Sequence, residues 1–307
     1  MFRAFFVFVN LLAMVSSSHS QIPSVSAGSI KRFENFSSDF VTPRNIDVWL
    51  PEGYSDEKKY AVLYMHDGQM LFDSTITWNH LAWEVDDVAT KLQLAGKVTD
   101  FIVVGIWNGG LTRHKDYFPQ RPFDNLPQVN KDTITQQLRN AGRINETFQP
   151  VSDNYLLFLT KELKPFIDRT FSVKKGRRHT MIAGSSMGGL ISMYAVCEYP
   201  EIFGAAACLS THWPGVFSLT NNPMPDAFVA YLKSNLPLPG KNRIYFDFGD
   251  QTLDGLYPEC QRKVDQVMRE AGFDHTNWQT AYFPGADHSE KAWRNRLDTV
   301  LKFLAGK

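Results

Sequence analysis

The sequence predicts an α/β chain with a mainly parallel central sheet, helices on both faces and an antiparallel strand pair at its N-terminal end. Three observations carry this. Short, nearly continuous apolar runs recur at residues 60–65, 101–107, 181–183, 205–209 and 243–248, and a run that is apolar on both sides marks a strand covered from both faces. Helical patterns lie between these runs, an alternation that favours parallel strands joined by crossover helices. Ahead of them, residues 29–36 and 44–50 are separated by only a turn, a connection that antiparallel strands allow.

Taken in order, residues 1–20 stand apart. Arg3 gives a short positive start, and residues 4–15 form an apolar run too short to cross a bilayer as a resident helix. Ser18-His19-Ser20 then offers small residues at the positions a signal peptidase reads. The expectation is a cleaved signal peptide over 1–20, one domain over 21–307, and a secreted or periplasmic protein with no later membrane span.

In the first strand pair, Arg44-Asn45-Ile46-Asp47-Val48-Trp49-Leu50 alternates polar and apolar residues, as a half-buried strand does. Residues 60–65 follow as a central strand, 83–94 as a helix and 101–107 as the next strand. Residues 108–151 are rich in Asn, Gln, Arg, Pro and Gly and follow a strand's carboxyl end, where long insertions shape ligand sites. Residues 154–167 are strongly amphipathic. Ser152 or Asp153 is placed to cap that helix, and Pro165 to kink or end it. The remaining strands are 181–183, 205–209, 243–248 and 279–283. The remaining helices are 187–198, 256–271 and 290–304.

Composition narrows the function. Lysine plus arginine number 32 against 32 aspartate plus glutamate, and no basic cluster offers a footprint for nucleic acid. Cys197, Cys208 and Cys260 sit in apolar or helical stretches without zinc-ligand spacing, so they read as buried thiols with room for one disulfide. No internal repeat or low-complexity linker divides the chain.

The chemistry centres on Gly184-Ser185-Ser186-Met187-Gly188, which follows an apolar strand and opens a helix. A serine on such a sharp strand-to-helix turn projects its hydroxyl at the helix N-terminus, and the flanking glycines leave room for tight packing. Ser186 is therefore the candidate nucleophile of an α/β-hydrolase fold, whose chain order is serine, then acid, then histidine. Of the histidines beyond Ser186, His288 lies in the loop between the last strand and the last helix, where a base can fold back over the serine. His212 follows a strand end and suits a pocket wall. The acid belongs after the strand 243–248, where Asp250 and Asp254 both qualify by spacing. For the oxyanion, the N–H of Met187 is one donor and that of Gln69 the other, with Gly68 permitting an unusual turn between them. His66, Asp67, Asp73 and His80 lack metal-ligand spacing and read as braces for their loop. Trp107, Trp213 and Tyr117, with His212, suit a ring-bearing or sugar-bearing substrate. No metal or organic cofactor is called for.

Together these stretches resemble the putative-esterase family of α/β-hydrolases, which includes enterochelin esterases, feruloyl esterases and S-formylglutathione hydrolases. The likeness rests on Val62-Leu63-Tyr64-Met65-His66-Asp67-Gly68-Gln69-Met70-Leu71-Phe72, on the serine motif, on Phe248-Gly249-Asp250-Gln251-Thr252-Leu253-Asp254, and on Gly285-Ala286-Asp287-His288-Ser289-Glu290. It covers nearly everything from Gly28 onward. It implies a serine esterase acting through an acyl-enzyme on a small-molecule or carbohydrate ester, with siderophore, feruloyl and acetylated-carbohydrate esters as the candidates. It also tips the acid to Asp254, with Asp250 as the alternative. An acyltransferase using the same residues, and a non-catalytic carbohydrate- or siderophore-binding relative, are the other classes the residues allow.

Overall fold

The computed structural model describes residues 21–307, so the expected signal segment lies outside the described residues. Eight strands form one sheet: β1 (Ser29–Phe36), β2 (Arg44–Leu50), β3 (Ala61–His66), β4 (Phe101–Ile106), β5 (Thr180–Ser185), β6 (Ala205–Leu209), β7 (Arg243–Phe248) and β8 (Trp278–Tyr282). Their order is β1-β2-β4-β3-β5-β6-β7-β8. The pairs β1–β2 and β2–β4 are antiparallel. From β4 onward every pairing is parallel. The order reverses at β3, so the crevice between the ends of β3 and β5 is a topological switch point, where ligands of such sheets bind.

The helices are α1 (Val85–Leu94), α2 (Arg113–Tyr117), α3 (Gln120–Asp124), α4 (Gln128–Asn140), α5 (Ser152–Leu157), α6 (Lys164–Thr170), α7 (Met187–Glu198), α8 (Met224–Asn235), α9 (Pro258–Glu270) and α10 (Glu290–Ala305). Alternation along the strands sorts the core into two layers. Val62 and Tyr64 of β3 join Ile182, Cys208 and Phe246 under α5–α9. Ala61, Leu63 and Met65 join Val103, Ala183 and Leu209 under α1 and α10. The central strands are thus apolar on both sides, which is why they read as continuous runs. Helix α7 is buried from Met187 to Cys197, including its glycines and Ser192, as befits a helix enclosed by sheet and neighbouring helices.

Several expectations are corrected here. Of the two outcomes read for Pro165, a kink or an end, the end does not occur: a π-helical stretch, Phe158–Leu163, links α5 to α6 just before the proline, and the run continues to Thr170. The widened turn absorbs the donor that proline lacks. Neither Ser152 nor Asp153 caps α5, whose N-cap is Val151. Instead Ser152 Oγ accepts from the Gln120 N–H at 2.9 Å and Asp153 from the Tyr194 hydroxyl at 2.6 Å. The segment 108–151, read only as an insertion, carries α2, α3 and α4, and α8 also arises where no helix was read. All three cysteines are free and buried, so the room left for a disulfide is unused.

Candidate active site

Strand β5 delivers Ser186 into a backbone conformation of φ 57°, ψ −121° at the N-cap of α7. A side chain in the left-handed half of the map is strained and needs its surroundings to hold it. Here the Ser186 N–H donates to Leu209 O at 2.9 Å, and its carbonyl accepts from the His212 N–H at 3.2 Å. A Cβ on Gly184 would lie 2.8 Å from the Gly188 carbonyl carbon, so the turn closes only with glycine there.

After β7 the chain makes a short 3-10 turn, Thr252–Leu256, that carries Asp254 inward. Asp254 is fully buried, with Oδ1 2.6 Å from His288 Nδ1. Its Oδ2 accepts from the Gly249 N–H at 2.7 Å and the Ser210 hydroxyl at 2.6 Å. Ser210 Oγ itself accepts from Trp293 Nε1 and Arg296, which fixes its proton toward Asp254. Arg296 pairs with Asp247 at 2.8 Å. Burial pushes the Asp247 carboxyl up to about 6 against the pull of that guanidinium. His288 is held from two more sides. Its N–H donates to Thr252 Oγ1 at 2.9 Å, and the Trp293 ring stands edge-on with centroids 5.0 Å apart.

The two aspartates left open by spacing part company here. Asp250 Oδ1 accepts from the Gly285 N–H at 3.0 Å and from Gln251 Nε2, while Oδ2 accepts from the Tyr282 hydroxyl. Its carboxylate ties the loop before His288 to β8 and makes no bond to the imidazole.

Ser186 and His288 border one cavity of about 590 Å³, together with Gln69, Met187 and His212. Gln69 sits in a 3-10 turn after β3. The unusual backbone there belongs to Asp67, at φ 56°, and not to Gly68. Gly68 serves close approach instead: a Cβ on it would fall 2.6 Å from the Gly105 carbonyl carbon. Of the residues read as loop braces, His66 Nδ1 meets the Tyr155 hydroxyl at 2.9 Å, and Asp73 accepts from the Ser24 N–H at 2.9 Å. Asp67 receives Arg113 in a two-pronged contact at 2.7 and 2.8 Å and Asn108 Nδ2 at 2.7 Å. Burial would raise the Asp67 carboxyl, but Arg113 and Asn108 outweigh it and hold it below the usual carboxylate range.

Three pocket expectations fail. Trp107 turns to the β1–β2 side, giving its Nε1 proton to Asp47 at 2.7 Å beneath the Arg32 guanidinium. Trp213 is buried in the core with Nε1 on Gln261 at 2.8 Å. Tyr117 is buried behind the cavity wall, its hydroxyl 3.4 Å from the Asp67 N–H. The cavity is rimmed instead by Trp78, Leu111, Arg113, Arg143 and Phe217, none of them singled out in the sequence. Trp78 is 83 % exposed, Leu111 95 % and Phe217 40 %, and Arg143 stacks over Phe217 at 4.8 Å. The only sequence signal for them was that Leu111, Arg113 and Arg143 fall in the insertion after β4.

A mainly parallel sheet with this strand order and a serine on the turn after its fifth strand define the α/β-hydrolase fold. Within that fold the chain belongs to the putative-esterase family, whose model matches residues 37–304. An uncharacterized protein of Bacillus subtilis, YbbA, is 23 % identical over 86 % of this chain and 93 % of its own length. An endo-1,4-beta-xylanase/feruloyl esterase of Xylanibacter ruminicola is 27 % identical over 91 % of this chain, which spans 32 % of that longer protein. Among solved structures, a ferulic acid esterase superposes with TM-score 0.63 at 20 % identity, covering 90 % of this chain and 98 % of its own. The enterobactin esterase of Shigella flexneri gives TM-score 0.63 at 16 % identity over 92 % of this chain and 60 % of its own. Among the described residues no helix is long and apolar enough to cross a membrane.

Proposed function

We propose that the protein is an exported serine esterase in which Ser186 is the nucleophile, His288 its base and Asp254 the acid that orients the base. The observation that carries the reading is the 2.6 Å contact between His288 Nδ1 and a buried Asp254, on the wall of the cavity that Ser186 enters from its strained turn. Export is supported by the apolar run at residues 4–15 followed by Ser18-His19-Ser20.

The chemistry follows from proton placement. Asp254 accepts the Nδ1 proton of His288, which leaves Nε2 with a lone pair. Nε2 takes the Ser186 proton as Oγ bonds to the acyl carbon, and the carbonyl oxygen becomes an oxyanion. The backbone N–H groups of Met187 and Gln69 receive that charge, and each such donor contributes about 3 kcal/mol to lowering a barrier of this kind. The alcohol departs with the proton from His288. Water then attacks the acyl-enzyme, with His288 again as base. The exposed Trp78, Leu111 and Phe217 around the cavity favour an ester that presents a flat apolar group.

Turnover of p-nitrophenyl acetate, and of a panel of aryl, feruloyl, acetyl-sugar and catecholate esters, tests this. Wild type should hydrolyse at least one class. Ser186→Ala and His288→Ala should each lose at least about a thousandfold in kcat while remaining folded. A folded Ser186→Ala protein with wild-type turnover would end the proposal.

A further inference from the structure

The cavity that Ser186 borders has four acidic or strongly basic side chains in its lining, Asp67, Arg113, Arg143 and Glu290. Three of them are answered within the protein. Asp67 and Arg113 offset each other through their two-pronged contact. Glu290 lies in the first turn of α10, where the positive end of a helix favours a carboxylate, and it accepts from Asn79 Nδ2 at 2.9 Å. Arg143 differs. Its guanidinium has no acidic partner among the described residues. Glu146, the acid nearest to it in sequence, is taken by Lys115. What Arg143 meets instead is the face of the Phe217 ring, at 4.8 Å.

The chain fixes both members of that stack. Helix α4 ends in a closed turn: Gly142 takes φ 66°, its N–H donates to Arg139 O at 3.0 Å, and the Arg143 N–H donates to Leu138 O at 2.9 Å. These two bonds satisfy the last carbonyls of the helix, as a glycine past its end allows, and the next residue, Ile144, is buried. Phe217 lies in the loop after β6. There Asn222 Nδ2 donates to Pro214 O and Ser218 O, each at 2.8 Å, and Gln137 of α4 donates to Thr220 O at 3.1 Å. The Phe217 ring is 5.5 Å from that of His212, centroid to centroid, and the His212 N–H donates to the Ser186 carbonyl at 3.2 Å. One stretch of wall thus leads from the serine turn, past an imidazole and a phenyl ring, to an unanswered cation.

We propose that Arg143 is a specificity-determining residue that binds a carboxylate on the substrate, on the far side of an aromatic ring from the scissile carbonyl, with Phe217 packing against that ring. The inference rests on the reading of the cavity as an esterase site, and it narrows the substrate class to aryl esters that carry a free carboxylate. A guanidinium stacked on a ring keeps its N–H donors in its own plane, clear of the aromatic face, and the stack restrains a long side chain. Those donors match the two oxygens of a carboxylate, and such charge-assisted pairs are the strong ones. Arg143 gives up no internal ion pair to make this contact, whereas Arg113 would have to leave Asp67. The carboxylate belongs to either half of the ester, acyl or alcohol, since the same fork receives both.

Two matched pairs of esters test this. 4-Acetoxybenzoate carries the carboxylate on the alcohol half, and phenyl 3-(4-carboxyphenyl)propanoate carries it on the acyl half. Each is paired with its methyl-masked, neutral form. The quantity read is the ratio of kcat/KM for the acid to that for its masked partner, measured on one sample so that partial misfolding cancels. In at least one pair Arg143→Met should lower that ratio tenfold or more below wild type, chiefly through KM of the acid. Arg143→Glu should lower it further, because the charge is reversed and not merely removed. The pair that responds assigns the carboxylate to its half of the ester. A ratio unchanged in both pairs by Arg143→Met, or no lower in Arg143→Glu than in Arg143→Met, overturns the proposal. Ser186→Ala run in parallel separates the two layers: loss of turnover upholds the nucleophile whatever Arg143 does, and retained turnover removes the nucleophile while the ratio still reads Arg143.

Discussion

The two walls of the cavity are built differently. On one wall the ends of β5 and β7 and the loop after β8 place Ser186, Asp254 and His288, each held by backbone or buried side-chain hydrogen bonds. On the other wall the insertion after β4 is rooted in an aromatic cluster, with Phe118 against Phe148 at 5.1 Å and Phe123 against Phe148 at 5.4 Å. It meets the β3 loop through Arg113 and Asn108 on Asp67, and it leaves Leu111 in solvent. In the proposed reading one wall fixes the reacting atoms, and the other offers a surface. Changes to the first should act on rate and changes to the second on substrate binding.

The largest effect should come from the fixed wall. Asp254→Asn keeps the shape but removes the acceptor that sets the His288 tautomer, and kcat should fall by about 10⁴. Asp250→Asn, four positions away, should stay within about threefold. Steady-state kinetics on both variants check this, and a reversed order would move the acid to the surface loop.

A second test concerns two buried imidazoles, His66 at the end of β3 and His114 in α2 of the insertion. Burial, with help from neighbouring arginines, lowers His66 and His114 from 6.5 to about 3. Between those values the unfolded chain binds protons that the folded chain does not, so stability rises with pH. It should be complete above pH 6.5 and decline as the medium is acidified toward pH 3, by up to about 1.4 kcal/mol per pH unit per histidine. Urea titrations at pH 7, 5.5 and 4.5 read this. His66→Gln and His114→Gln should each flatten the slope, and a slope unchanged in both variants would contradict the assignment.

The smallest effect should come from loosening the insertion. Arg113→Met breaks the two-pronged contact with Asp67 and should raise KM by about tenfold while leaving kcat within about threefold. A fall in kcat with KM unchanged would place Arg113 with the reacting atoms and blur the distinction between the walls.

The same division governs what could be read from the sequence. The fixed wall was legible because its chemistry is local. The strand that delivers the serine is buried on both faces, as Thr180–Ser185 shows, and the serine needs glycine at fixed offsets. The choice between Asp250 and Asp254 was not local, since it depends on which carboxylate the turn Thr252–Leu256 carries inward. The insertion was illegible for a related reason. Helix α4 buries only Ile134, Thr135 and Leu138, too few to mark an apolar stripe. Trp107 and Trp213 misled because a tryptophan near a strand end satisfies its N–H as readily inside the core as beside a ligand.

The central claim is that Ser186 is activated by His288. Labelling with a fluorophosphonate, followed by peptide mapping, tests it most directly. One adduct on Ser186, formed at least a hundredfold more slowly in His288→Ala, is the expected result. An adduct on another residue, or equal labelling of Ser186 with and without His288, would contradict it.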